Sequence, residues 1–175
     1  MTELTALELF CGIGGFAAAA AGSPVRVVGA LDQSPAALAV YRLNFPGHNA
    51  GPADLERITA EDLAGFGADL WWLSPPCQPY SVRGRGRDLT DPRARSLLRL
   101  MTLLAELPAG QLPRHVALEN VPGFARSRAR QQLVERLVER GYACRERQLC
   151  PTELGVPSRR PRYYLVASRA PLAPR

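Results

Sequence analysis

The chain has 175 residues, the size of one domain and long enough to bury a core. Apolar residues make up 46% and charged residues 22%, which excludes a disordered polyelectrolyte. The net charge of +6 hides an asymmetry: residues 1–75 carry three arginines against eight acids, and residues 76–175 carry nineteen against eight.

All 22 basic residues are arginine, a bias that a GC-rich genome produces. The basic second part suits a polyanionic partner, and it also suits a plainly solvated surface. The longest apolar run, Phe16 to Ala21, is too short for a membrane span. The N-terminus reads as a strand and not as a cationic, apolar leader, so no signal peptide is expected. Cys11, Cys77, Cys144 and Cys150 show neither a CxxC pair nor metal-ligand spacing, and read as reduced thiols of a cytoplasmic protein.

In chain order, an apolar run over residues 4–10 stops at Gly12-Ile-Gly14-Gly15, and a helix-compatible stretch follows over 16–21. A β-rich run over 25–31 ends at Asp32. Ser34 caps a helix with Pro35 at its first position, running to about Phe45. Thr59 caps a short helix with Glu61 and Asp62 in its first turn. Residues 69–73 form a strand ended by Ser74-Pro75-Pro76. Asp91-Pro92 opens a long helix to about Leu107, with Leu97, Leu98, Met101, Leu104 and Ala105 at helical spacing. Strand 115–118, helix 131–140 stopped by Gly141, and strands 142–149 and 163–167 complete the chain. The alternation predicts an α/β, Rossmann-like fold: a mostly parallel sheet with helices on both faces.

In such sheets ligands bind at the carboxyl ends of the strands, and the chemically informative residues fall there. Gly12, Gly14 and Gly15 permit a tight strand-to-helix turn and close approach to a ligand. Asp32 can accept hydrogen bonds from ribose hydroxyls. A bare turn with a chance acid also fits. Cys77, beside two rigid prolines, is placed as a nucleophile, but taken alone a buried inert thiol is the better reading, and that reading is kept for the other three cysteines. Glu119 is an acid at a strand end. Arg83, Arg85 and Arg87 alternate with glycine in a loop suited to phosphate, and a plain solvated loop fits equally. Arg160 and Arg162 would share one face leading into the last strand by period-two alternation, and a surface cluster fits equally.

Taken together, four segments in order resemble the cytosine-C5 methyltransferases: Leu7-Glu-Leu-Phe-Cys-Gly-Ile-Gly-Gly-Phe16, Ser74-Pro-Pro-Cys-Gln-Pro79, Glu119-Asn-Val121 and Gly155-Val-Pro-Ser-Arg-Arg-Pro-Arg162. The resemblance implies S-adenosylmethionine as methyl donor, held by Phe10, Gly12, Gly14, Asp32, Asp54, Leu55 and Pro76. It implies Cys77 as the nucleophile on cytosine C6, with Glu119 on N3 and Arg160 and Arg162 supporting the base and a nearby phosphate. The arginine-glycine loop would close over a base taken out of its stack. The implied partner is nucleic acid, tRNA or DNA. Tyr41-Arg-Leu-Asn-Phe-Pro46, the Asp91-Pro-Arg run and Cys150-Pro-Thr-Glu-Leu-Gly-Val-Pro157 resemble the branch that methylates a tRNA anticodon-loop cytosine. Asp32 and Ser158 stand where the DNA enzymes carry glutamate and glutamine.

The resemblance also implies a target-recognition region and a final segment after the last matching strand. Residues 1–175 therefore read as a single catalytic domain without a target-recognition domain. A second polypeptide supplying that region, a truncated product and a reduced enzyme are the three explanations. A non-catalytic nucleic-acid-binding remnant is the competing function. A nicotinamide-dependent oxidoreductase explains the glycine turn and Asp32 but leaves Cys77 and Glu119 unused.

Overall fold

The computed structural model describes residues 3–81 and 86–171. Among them, seven strands form one sheet: β1 (Leu4–Leu9), β2 (Val25–Asp32), β3 (Ala50–Pro52), β4 (Leu70–Leu73), β5 (His115–Asn120), β6 (Ala143–Leu149) and β7 (Arg162–Ser168). Their order is β3-β2-β1-β4-β5-β7-β6. β7 runs antiparallel to both its neighbours, and every other pair is parallel. Five helices accompany them: α1 (Gly15–Ala20), α2 (Pro35–Asn44), α3 (Ala60–Ala64), α4 (Arg95–Glu106) and α5 (Arg128–Glu139). None of the described helices is long and apolar enough to cross a membrane.

Strand alternation sorts the core onto two faces. Leu7 and Leu9 of β1, Leu73 of β4 and Leu118 of β5 pack with Leu97, Leu100 and Leu104 of α4 and Leu133 of α5. On the opposite face Val27 and Ala30 of β2 pack with Ala17 of α1 and Leu38 and Tyr41 of α2. Each fully buried leucine contributes on the order of 1.5–3 kcal/mol relative to an exposed one, so α4 anchors its side of the sheet.

The caps set the helix starts. The Ser34 hydroxyl accepts from the Ala37 N–H with Pro35 beside it, and Thr59 forms a reciprocal capping box with Asp62. Two starts differ from the pattern-based reading. Asp91 caps a 3-10 turn (Pro92–Ala94), which delays α4 to Arg95. Ser127 accepts from the Arg130 N–H and starts α5 at Arg128, ahead of the expected position. Within α4, Leu98 and Ala105 are only partly buried while Leu100 and Leu103 are in the core. α4 contacts α5 as well as the sheet, and that widens its apolar stripe beyond one line of residues.

β3 was invisible to pattern reading. Its three residues, Ala-Gly-Pro, carry no strand signal and exist as a strand through pairing with Ala30–Asp32. β7 begins at Arg162, so Arg160 precedes the strand instead of sharing its face.

Leu104, fully buried in α4, tests this packing. Leu104→Ala should destabilise the fold by about 2–5 kcal/mol, read as a lower urea midpoint with unchanged slope. An unchanged midpoint would place α4 outside the cooperative core.

Candidate active site

The winding of the sheet reverses at β1. The chain runs from β1 out to β2 and β3, then returns to β4 on the other side of β1. Loops that leave adjacent parallel strands in opposite directions open a crevice between them. The glycine loop leaves β1 and the cysteine loop leaves β4. A cavity of about 460 Å³ lies there, with Phe10, Asp32, Leu55, Pro76, Cys77 and Glu119 in its wall.

The glycine loop is held in an unusual backbone shape. Phe10, Gly12 and Gly14 have φ of 60°, 52° and 96°. A non-glycine residue in the left-handed region costs on the order of 1–3 kcal/mol and marks functional segments, which makes Phe10 informative. At Gly14 an added Cβ would lie 2.4 Å from the Phe45 ring. Asp32, the last residue of β2, ties the loop down. One carboxylate oxygen accepts the Gly12 N–H and the other the Ser34 N–H, both at 2.8 Å. Gly12 and Gly14 therefore shape the loop behind the cavity. Asp54 stands outside the wall. It accepts from the Glu56 N–H and faces Arg57 at 3.6 Å, while its neighbour Leu55 lines the cavity.

The cysteine loop starts as an extension of the ladder, with the Ser74 N–H donating to the Leu9 carbonyl. Two prolines follow, and Cys77 precedes a 3-10 turn (Gln78–Tyr80). Leu73, the last residue of β4, stands opposite Leu118, and β5 continues to Asn120, so the loop emerges beside Glu119. The buried Asn120 fixes this arrangement. Its amide donates to the Pro75 carbonyl at 3.0 Å and its oxygen accepts the Val121 N–H at 2.9 Å.

Three arginines reach the cavity. Arg162 pairs with Glu119 at 2.8 Å, and both line the cavity. Arg160, exposed ahead of β7, lines the same wall. Arg93 does too, held by two hydrogen bonds to the buried Asp91 at 2.8 and 2.7 Å. Those bonds pull the Asp91 carboxyl down to about 2. Arg87 is exposed, and Arg83 and Arg85 lie outside the described residues.

Burial acts on two of the other thiols. It pushes Cys11 up to about 12 and raises Cys144. Cys150 departs from the expected inert, buried thiol. It is half-exposed, and hydrogen bonds from Thr152 hold it below the usual thiol range. Its sulfur caps the turn Pro151–Leu154. Among the described residues no group of three or more His, Cys, Asp or Glu side chains could hold a metal ion.

Residues 4–174 match the family model for the C-5 cytosine-specific DNA methylases. The chain belongs to that family. It is 39% identical to a tRNA (cytosine(38)-C(5))-methyltransferase of Bos taurus, over 98% of this chain and 44% of the relative. It is 32% identical to a DNA (cytosine-5)-methyltransferase of Dictyostelium discoideum, over 97% of this chain and 45% of that protein. The crystal structure of the S. pombe Dnmt2 methyltransferase superposes with a TM-score of 0.84 at 33% identity, covering 97% of this chain and 51% of that one. The chain thus spans about half the length of the relatives it matches.

In this C-5 cytosine methylase family member, three polar roles carry no local sequence signal: Asn120 as a staple, Asp91 as the orienter of Arg93, and Glu8 beneath the glycine loop. Asn120 lies in the Glu119-Asn-Val121 segment, but nothing in its neighbours points to Pro75, which is 45 positions away. Asn120→Ala should cost about 1–3 kcal/mol, because it leaves the Pro75 carbonyl unpaired. It should also speed alkylation of Cys77 by iodoacetamide. Unchanged stability and alkylation would remove the staple from the account.

Proposed function

We propose that this chain is the catalytic part of an S-adenosylmethionine-dependent cytosine-C5 methyltransferase acting on nucleic acid, with tRNA ahead of DNA. The observation that carries the reading is the meeting of Cys77, the Glu119–Arg162 pair and the Phe10–Asp32 wall in one cavity at the switch point.

The wall fits the donor chemically. The Asp32 carboxylate accepts hydrogen bonds and suits ribose hydroxyls, while Phe10 and Leu55 offer apolar surface to an adenine. When bound, S-adenosylmethionine supplies an electrophilic methyl group. The residues of the chain do the rest. The Cys77 thiolate adds to C6 of the cytosine and forms a carbon–sulfur bond. Glu119 holds N3 and supplies the proton that lets the ring accept the thiolate, with Arg162 fixing its orientation. C5 then has enamine character and takes the methyl group. Loss of the C5 proton to solvent expels Cys77 as thiolate, and N3 returns its proton to Glu119. Covalent addition divides a difficult substitution on an unreactive ring into easier steps.

Arg160 and Arg93 supply positive charge at the mouth, where the backbone of an extruded nucleotide passes. The tRNA preference rests on the quoted subfamily segments and on relatives named for tRNA. We assign residues 1–175 to one catalytic domain, and target recognition to sequence outside it, on a second polypeptide or elsewhere in the same one. A cytoplasmic location belongs to the same reading, because the mechanism needs Cys77 as a free thiol.

The test is covalent trapping. With S-adenosylmethionine and any separate recognition subunit, the protein should form a stable adduct on tRNA containing 5-fluorocytosine, seen as a mass shift resistant to denaturation. Cys77→Ala should abolish the adduct, with cofactor binding retained. Absence of an adduct on both tRNA and DNA, or an adduct that survives Cys77→Ala, would refute the mechanism.

A further inference from the structure

Glu8 is a buried acid with no part in the chemistry above. It lies in β1 and faces α1 and α2, on the side opposite Leu7 and Leu9, and only 2% of it is exposed. One carboxylate oxygen accepts the Phe16 N–H at 3.1 Å, and the Ala17 N–H also acts on the group. These are N–H groups of the first turn of α1, the helix that continues the glycine loop. The other oxygen stands 3.2 Å from the hydroxyl of the fully buried Tyr41. That hydroxyl lies 3.0 Å from Nδ1 of His48, which is half-exposed. Phe45 stacks on His48, and its ring fills the space behind Gly14. A line of hydrogen bonds therefore runs from the glycine loop through Glu8 and Tyr41 to the surface.

The titratable groups that face Glu8 are Tyr41 from α2, Cys11 from the glycine loop and Asp32 from β2. Burial pushes the Glu8 carboxyl up to about 7, against the hydrogen bonds from Phe16, Tyr41 and Ala17, with the Asp32 charge adding to the rise. Both charge states keep the line intact. Ionised Glu8 accepts the Tyr41 O–H, and the Tyr41 oxygen accepts Nδ1–H. Protonated Glu8 donates to the Tyr41 oxygen, and Tyr41 donates to Nδ1. A proton can thus pass between His48 and Glu8 without opening the core. What changes is the hold on α1, since hydrogen bonds to an ionised acceptor are about twice as strong as neutral ones.

We propose that Glu8 positions the glycine loop, with Tyr41 and His48 as its proton path to the surface, so that the donor site is tighter when Glu8 is ionised. The inference rests on the reading of the cavity as an S-adenosylmethionine site, and it extends that site to a residue outside the cavity wall.

The experiment is calorimetric titration of the full-length protein with S-adenosylhomocysteine across neutral pH. Affinity should fall about fivefold as pH drops through 7, the scale expected for weakening a charge-assisted hydrogen bond. Glu8→Gln keeps the shape and cannot titrate, so its affinity should be flat across the same range. Tyr41→Phe removes a donor that favours the ionised form, so its transition should move to higher pH. His48 is retained in both variants, so any difference between them and the wild type comes from Glu8 or Tyr41. A flat wild-type profile, or a Glu8→Gln profile with the wild-type slope, would overturn the inference alone. No binding at any pH would overturn the donor-site reading and the inference with it.

Discussion

The parallel pairing of β1 with β4 is the constraint on which the site depends. Ala6 to Leu9 lie beside Leu70 to Leu73, and both strands end at one level. Since the chain winds outward from β1 in one direction and returns on the other side, the two loops diverge and leave a crevice. The continuation of the ladder by Ser74 on Leu9 carries the strand geometry into the cysteine loop. Cys77 thus inherits its position from the largely buried strands β1 and β4, and not from loop chemistry alone.

Around that crevice, polar groups do the fixing and apolar groups the insulating. Asp32 takes two backbone N–H groups, Asn120 bridges two strand ends, and Asp91 grips one edge of Arg93 with both its oxygens. Each interaction fixes a donor or acceptor that would otherwise compete for a ligand or for water. A preorganised constellation of this kind needs little rearrangement when substrate arrives. The acidic first part and basic second part divide accordingly, since Glu8 and Asp32 serve the glycine loop while Arg93, Arg160 and Arg162 face the mouth.

Much of this was legible in the sequence because strand ends are strongly punctuated. Gly12, Gly14, Pro75 and Pro76 stop their elements at the residues where ligand loops begin, and period-two and helical spacing supply the sheet and its helices. What escaped was non-local. β3 exists through its pairing with β2, and the start of α4 moved because the Asp91 side chain turned inward to cap a 3-10 turn. The shift of Cys150 depends on Thr152 and on the loop that folds over it. The ion pair between Glu119 and Arg162 requires β7 to insert antiparallel beside β5, a connection that no local pattern encodes. Family resemblance pointed to both residues without giving their contact.

The central claim is that the thiol and the acid gathered at this crevice carry out substitution at C5 of a cytosine. Tritium placed at C5 reports that substitution directly, because addition at C6 and methylation at C5 must expel the hydrogen originally there. With S-adenosylmethionine and tRNA carrying that label, the account predicts tritium release in step with methyl transfer, and loss of both in Cys77→Ser. Methyl transfer without tritium release, or undiminished release in Cys77→Ser, would contradict it.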